Sequence, residues 1–126
     1  MIVKIKTILV TGAAGFIGAS LVQKLLKLGM NVIGLDNLNN YYSPSLKLDR
    51  LSEISKASLK YSGSWDFFEI DIVDKLKLDE IFQSRSPEIV VNLAAQAGVR
   101  YSIDNPRKYL NSNIVGFFNI IELSRL

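Results

Sequence analysis

Apolar and polar positions along this chain fall into blocks that switch period in a regular order. Ile5 to Val10 is a short run rich in Ile, Leu and Val, and it predicts a strand. Phe16 to Leu28 follows, with Phe16, Ile17, Leu21, Leu25 and Leu28 spaced to bury one helical face and Gly29 as its stop. Asn31 to Asp36 returns to a strand pattern. Asn37 to Pro44 is polar and turn-rich, a loop in which Tyr41 and Tyr42 read as anchors. A second helix is predicted over about Ser45 to Ser58, capped by Ser43 or Ser45, with Leu46, Leu48, Leu51, Ile54 and Leu59 as a less regular apolar set. Ser62-Gly63-Ser64 breaks the chain, Trp65 to Asp71 reads as a third strand, and Asp74 opens a third helix with Leu76, Leu78, Ile81 and Phe82 inward. After Pro87, Ile89 to Ala95 has the apolar centre of an interior parallel strand. Asp104 or Asn105 then caps a final helix with Pro106 in its first turn, and Leu110, Ile114, Phe117, Phe118 and Ile121 line its face.

The resulting order, β-α-β-α-β-α-β-α with short connections and no internal repeat, implies an α/β fold with a parallel sheet covered by helices on both faces. Doubly wound, Rossmann-type winding gives the strand order 3-2-1-4 and a ligand crevice between strands 1 and 4, where the order reverses. No further strand follows the fourth, so the sheet is expected to be truncated there and the outer edge of strand 4 to be bare or covered by a partner.

Between the first strand and helix lies Thr11-Gly12-Ala13-Ala14-Gly15-Phe16-Ile17-Gly18. Gly12 permits a sharp turn out of the strand, Gly15 lets backbone approach a pyrophosphate, and Gly18 lets the helix pack closely on the sheet. The helix N-terminus then offers N–H groups and a positive dipole end to phosphates. Asp36 ends the second strand 18 residues past Gly18, close to the roughly 20 expected for the carboxylate that bonds an adenosine ribose. It repels a 2′-phosphate, and no Arg directly follows it, so NAD is expected in preference to NADP. The plainer role for Asp36 is that of a strand-end turn residue.

Composition narrows the chemistry. The chain has 126 residues, 48% hydrophobic and 21% charged, which suits one globular domain at most. It has no cysteine, which excludes disulfides and thiolate chemistry and accords with a cytoplasmic setting. It has no histidine either, which removes the commonest general base and metal ligand. The net charge of +3 comes from Lys and Arg scattered among acids, with no basic stripe of the kind that binds nucleic acid. The apolar runs are too short to span a membrane, and Met1 to Lys6 does not read as a signal peptide.

The glycine segment, Leu35-Asp36-Asn37-Leu38, Asp71-Ile72, Leu93 to Ser102 and Asn113-Ile114-Val115-Gly116 together resemble the extended short-chain dehydrogenase/reductase family. Within it they resemble the nucleotide-sugar epimerases, the UDP-glucuronate 4-epimerases most of all, through Asn37 to Pro44 and Gln96 to Ser102. The resemblance spans essentially the whole chain but only the N-terminal part of the family's fold. It implies that backbone at Phe16 and Ile17 meets the pyrophosphate, that Asp36 and Asn37 hold the adenosine ribose, and that Asp71 and Ile72 flank the adenine. Leu93, Ala94, Ala95 and Gln96 would line the cofactor, and Asn113 would order it and the nearby backbone. Arg100 stands where the subgroup presents a cation to the nucleotide sugar. Each has a plainer role beside this one: Asp71 as a strand-end cap, Asn113 in bonds to its own helix, the Ala94-Ala95 pair in close helix packing, Arg100 in a surface ion pair.

The family's reaction removes a hydride from sugar C4 and returns it to the other face of a 4-keto intermediate, with the Tyr of a Tyr-x-x-x-Lys pair as proton acceptor. That pair is missing. The residues four beyond Tyr41, Tyr42, Tyr61, Tyr101 and Tyr109 are Ser45, Leu46, Trp65, Asn105 and Asn113. Two accounts fit: the cofactor-binding portion of a longer epimerase (or of a nucleotide-sugar 4,6-dehydratase, which shares these motifs), or a stand-alone NAD-binding module without catalysis. On either account the chain itself is expected not to turn over. A nucleotide-sugar substrate is expected only in a full-length enzyme, with no metal, and self-association is expected through the last helix or the strand 4 edge.

Overall fold

The structure is a computed structural model that describes residues 4–39 and 43–126. Four strands, β1 (Thr7–Thr11), β2 (Asn31–Asp36), β3 (Trp65–Glu69) and β4 (Ile89–Asn92), form one parallel sheet in the order β3-β2-β1-β4. The register sets Val10 of β1 between Gly34 of β2 and Val91 of β4, and Thr11 beside Asn92. The expected strand order is thus the observed one.

Alternation along the strands divides the core in two. Ile8, Val10 and Val32 point to one face, where α1 (Phe16–Lys27) and α2 (Pro44–Ser58) supply Val22, Leu26 and Ile54. Leu9, Ile33 and Leu35 point to the other, where α3 (Lys75–Arg85) supplies Leu78 and Ile81 and α6 (Phe117–Arg125) supplies Ile120. Asp74 caps α3 as its position suggested, its Oδ1 accepting from the Lys77 amide at 3.2 Å. Between β4 and α6 run two short helices, α4 (Val99–Asp104) and α5 (Pro106–Tyr109), and a π-helical turn over Leu110–Gly116.

Several predicted faces are displaced. In α1 the inward residues are Gly18, Ala19, Val22 and Leu26, while Phe16, Ile17 and Leu28 are exposed. The first turn of α1 lies at the sheet's carboxyl edge, beyond the core, and only small residues fit where the helix meets the glycine turn. In α2 Leu46 and Leu48 are exposed and Lys47 is buried, because a side-chain ion pair sets the inward face together with Leu51 and Ile54. Leu59 and, on α3, Leu76 are exposed as well. β3 and β4 end at Glu69 and Asn92, short of Asp71 and Ala95, so both predicted strand ends are loops over the crevice.

The last helix departs most. Leu110, Ile114, Phe117, Phe118 and Ile121, the expected inward face, are all exposed, and Gly116, Asn119 and Ile120 are buried instead. A π turn carries an extra residue, so helical spacing does not hold across it. A second cause is polar: the Asn119 Nδ2 donates to the Ile72 carbonyl at 2.9 Å, which fixes which side of α6 faces the sheet. A methyl at Gly116 would overlap the Ile72 side chain, so the close approach there demands glycine.

Candidate functional site

The carboxyl ends of β1, β2 and β4 open on a crevice of about 440 Å³, within the range of small-molecule sites. Its floor is the turn that follows β1. Gly12 has φ +67°, and a Cβ there would stand 2.9 Å from the Ala94 nitrogen, so the turn needs glycine both for its dihedral and for the loop pressed against it. Gly15 closes the turn by donating to the Gly12 carbonyl at 3.0 Å. A side chain on Gly18 would collide with that same carbonyl, which is why α1 can start directly beneath the turn. Gly15 caps α1 without a side-chain bond, and the first helical turn carries no acidic residue. Ala19 is the first amide bonded back, to Gly15. The α1 amides before it, at Phe16, Ile17 and Gly18, have no intrahelical acceptor and lie at the positive end of the helix, which makes the turn receptive to an anion.

Asp36 forms the opposite wall and is only 6% exposed. Its Oδ2 accepts from the Ala14 amide at 3.1 Å, and its Oδ1 accepts from the Leu38 amide at 2.9 Å and the Lys47 ammonium at 3.1 Å. With Oδ2 holding a single partner among the described residues, the carboxylate keeps acceptor capacity toward the crevice. Leu38 has φ +54°, which turns the chain directly after the amide that donates to the carboxylate. Next to it, the Asn37 Nδ2 donates to the Asp71 carboxylate at 3.2 Å, and Asp71 also accepts from the Val73 amide at 3.1 Å. Asp71 therefore ties the loops after β2 and β3 together, and it is not a strand-end cap, since β3 has ended at Glu69.

The third wall is the stretch after β4. The buried Thr11 hydroxyl donates to the Asn92 side chain and accepts from the amides of Leu93 and Ala94, both at 3.0 Å. Farther along, Asn113 grips the backbone of Gln96 in both directions: its Oδ1 accepts from the Gln96 amide at 2.8 Å, and its Nδ2 donates to the Gln96 carbonyl at 3.1 Å. The bonds of Asn113 thus go to the loop after β4.

Of the residues singled out from the sequence, Gly12, Gly15, Phe16, Asp36, Asn37, Asp71, Ile72, Leu93, Ala94, Ala95 and Gln96 all border the crevice. Ile17, Gly18 and Asn113 do not border it. Gly18 supports the turn from below, Asn113 holds Gln96 from behind, and the Ile17 side chain is exposed. Arg100 is exposed on α4 and is not part of the wall, and Tyr41 and Tyr42 lie outside the described residues.

Sequence reasoning missed two cations here. Lys47 is buried against Asp36, and Arg50 donates to the Ala14 carbonyl at 3.2 Å with its guanidinium 5.9 Å above the Phe16 ring. No Arg directly follows Asp36 to accommodate a 2′-phosphate, but the fold brings two cations to its side of the crevice from the next helix. The signal was present, because Lys47 shares a helical stripe with Leu51 and Ile54.

The architecture, a glycine turn under an uncapped helix facing a buried strand-end carboxylate, is that of a dinucleotide-binding α/β domain. Residues 9–126 match the GDP-mannose 4,6 dehydratase family, and the chain belongs to that family, within the extended short-chain dehydrogenase/reductases. It is 53% identical over 118 residues to protein CapI of Staphylococcus aureus, covering 94% of this chain and 34% of that protein. It is 46% identical over 117 residues to the UDP-glucuronate 4-epimerase of Thermodesulfobacterium geofontis, covering 93% of this chain and 35% of that protein. Its fold superposes on the UDP-glucose 4-epimerase of Thermus thermophilus, solved in complex with NAD, with TM-score 0.75 and 32% identity over 94% of this chain and 33% of that one. The chain thus spans about a third of the length of the curated relatives it matches.

Proposed function

We propose that these residues are the NAD-binding part of a nucleotide-sugar epimerase of the UDP-glucuronate 4-epimerase kind. The observation that carries the reading is the pairing of an uncapped glycine turn with a buried carboxylate across one crevice. The first suits a pyrophosphate and the second a ribose diol. The Thermus neighbour, described as a complex with NAD, and the epimerase named among the relatives support the same reading.

In this reading the outward amides of Phe16 and Ile17 bind the pyrophosphate, and the Asp36 Oδ2 accepts from a ribose hydroxyl. Asn37, Asp71 and Ile72 border the adenine. Leu93 to Gln96 form a wall that Thr11 and Asn113 hold in place, and it orients the nicotinamide end and excludes water there. NAD supplies a hydride acceptor and donor when bound. The proton acceptor is assigned to a Tyr-x-x-x-Lys pair and a fifth strand outside these residues, so the 126-residue chain binds without turning over.

Calorimetric titration with NAD and NADP tests this. NAD is expected to bind weakly, for want of the nicotinamide half of the site, and NADP at least about tenfold more weakly still. Failure to bind NAD at millimolar concentration would sink the reading. The family match favours one alternative, a nucleotide-sugar 4,6-dehydratase. Assaying a complete protein that carries this segment, with a 4-epimerase and a 4,6-dehydratase substrate, separates the two. A non-catalytic NAD-binding module would show binding in such a protein and no turnover of either.

A further inference from the structure

On the reading in which Asp36 accepts from an adenosine ribose, Lys47 and Arg50 border the part of the crevice toward which a 2′-phosphate would project. Both border the crevice beside Asp36: Lys47 is held by the Asp36 Oδ1, and Arg50 by the carbonyl of Ala14, whose amide donates to the Asp36 Oδ2. Lys47 is 8% exposed and Arg50 half-buried, so neither is a freely waving surface cation. Lys47 offers three donors and Arg50 five. Their hydrogen-bond acceptors among the described residues are one Asp36 oxygen and one carbonyl. Around that point the charges are one carboxylate against two cations, with Asp71 farther along the wall behind Asn37.

Charge repulsion by Asp36 is therefore largely cancelled on site. What the Asp36 carboxylate does is occupy the ground: it is the internal anion that Lys47 already holds. Resting on the NAD-binding reading, we propose that Lys47 and Arg50 form a latent 2′-phosphate cradle that Asp36 alone keeps filled. Shortening Asp36 opens the cradle and turns the preference from NAD to NADP with no cation added. The argument is one of replacement. A buried ammonium that has lost its carboxylate is left unpaired, and a phosphate entering the vacated place restores an anion to it and gains the guanidinium as a second, planar partner.

The test uses the full chain with ADP and 2′,5′-ADP as probes, which report on the phosphate in question. Calorimetry and thermal melting are run on the wild type, Asp36→Ser, Asp36→Asn and the double variant Asp36→Ser with Lys47→Met. The wild type is expected to favour ADP by about tenfold or more. Asp36→Ser is expected to melt lower than the wild type, to favour 2′,5′-ADP by about tenfold, and to regain melting temperature with 2′,5′-ADP but not with ADP. The double variant should lose that gain. Asp36→Asn removes the anion that Lys47 holds, so it decides the matter if the serine variant does not fold, and the unpaired ammonium should shift it too toward 2′,5′-ADP.

Folded variants that still favour ADP would overturn the cradle while leaving the NAD-binding reading intact. So would a double variant that keeps the phosphate preference, or a wild type that takes both probes equally. A wild type that binds neither ADP nor NAD overturns both.

Discussion

Thr11 shows how much one side chain contributes to the shape of this site. Its hydroxyl accepts from two amides of the loop after β4 and donates to Asn92, and the residue is fully buried. Valine has nearly the same shape and no acceptor. Thr11→Val is therefore expected to cost about 1–3 kcal/mol for amides left without a partner, seen in urea unfolding as a lower midpoint with an unchanged slope. NAD binding should weaken alongside, since Leu93 and Ala94 form part of the wall. Gly12, Gly15, Gly18 and Asp36 were legible in the sequence because each answers a local demand: a dihedral, a close approach, a position at a strand end. Thr11 was not, and for Lys47 the helical stripe it shares with Leu51 and Ile54 marked an inward position without naming its partner. Their roles depend on partners brought near by the fold, and a threonine in a strand or a lysine in a helix carries no mark of that by itself.

At the scale of elements, the sequence marked where helices start better than which way they face. Asp74 is a clear case, since its side chain accepts from the Lys77 amide. Asp74→Ala is expected to cost about 1 kcal/mol, measurable by chemical denaturation, with no change in ligand affinity because α3 lies away from the crevice. Facing was harder to read wherever something other than apolar spacing decided it. α1 turns Gly18 and Ala19 inward to fit beneath the glycine turn, and α2 turns Lys47 inward to meet Asp36. The π turn at Leu110–Gly116 then shifts the phase of everything after it, and Asn119 locks the new phase on Ile72. A period of 3.6 residues has no way to announce such a slip.

For the molecule as a whole, the strand order and the position of the crevice followed from the alternation of patterns taken together with Rossmann-type winding, because right-handed crossovers leave few ways to wind four parallel strands. The same winding leaves β4 with β1 as its only strand neighbour among the described residues. Ile114, Phe117, Phe118 and Ile121 form an apolar stretch that is exposed in the chain by itself. We propose self-association through that stretch. Light scattering over a concentration series should give a rising mass, and Phe118→Glu should lower it while leaving the melting temperature within a degree or two, as expected for a side chain 60% exposed. A mass that stays monomeric throughout would count against it.

The Thr11 bonds have one further consequence, for the order of events during synthesis. They join residues 82 and 83 positions apart, so the partners that shape the turn after β1 are made well after the turn itself. A nascent chain that has not yet delivered Leu93 and Ala94 carries the glycine motif as letters only. The loop against which Gly12 packs does not yet exist, and the crevice has a floor without one of its walls. Binding that needs this wall is therefore expected only once the fourth strand has docked on the first.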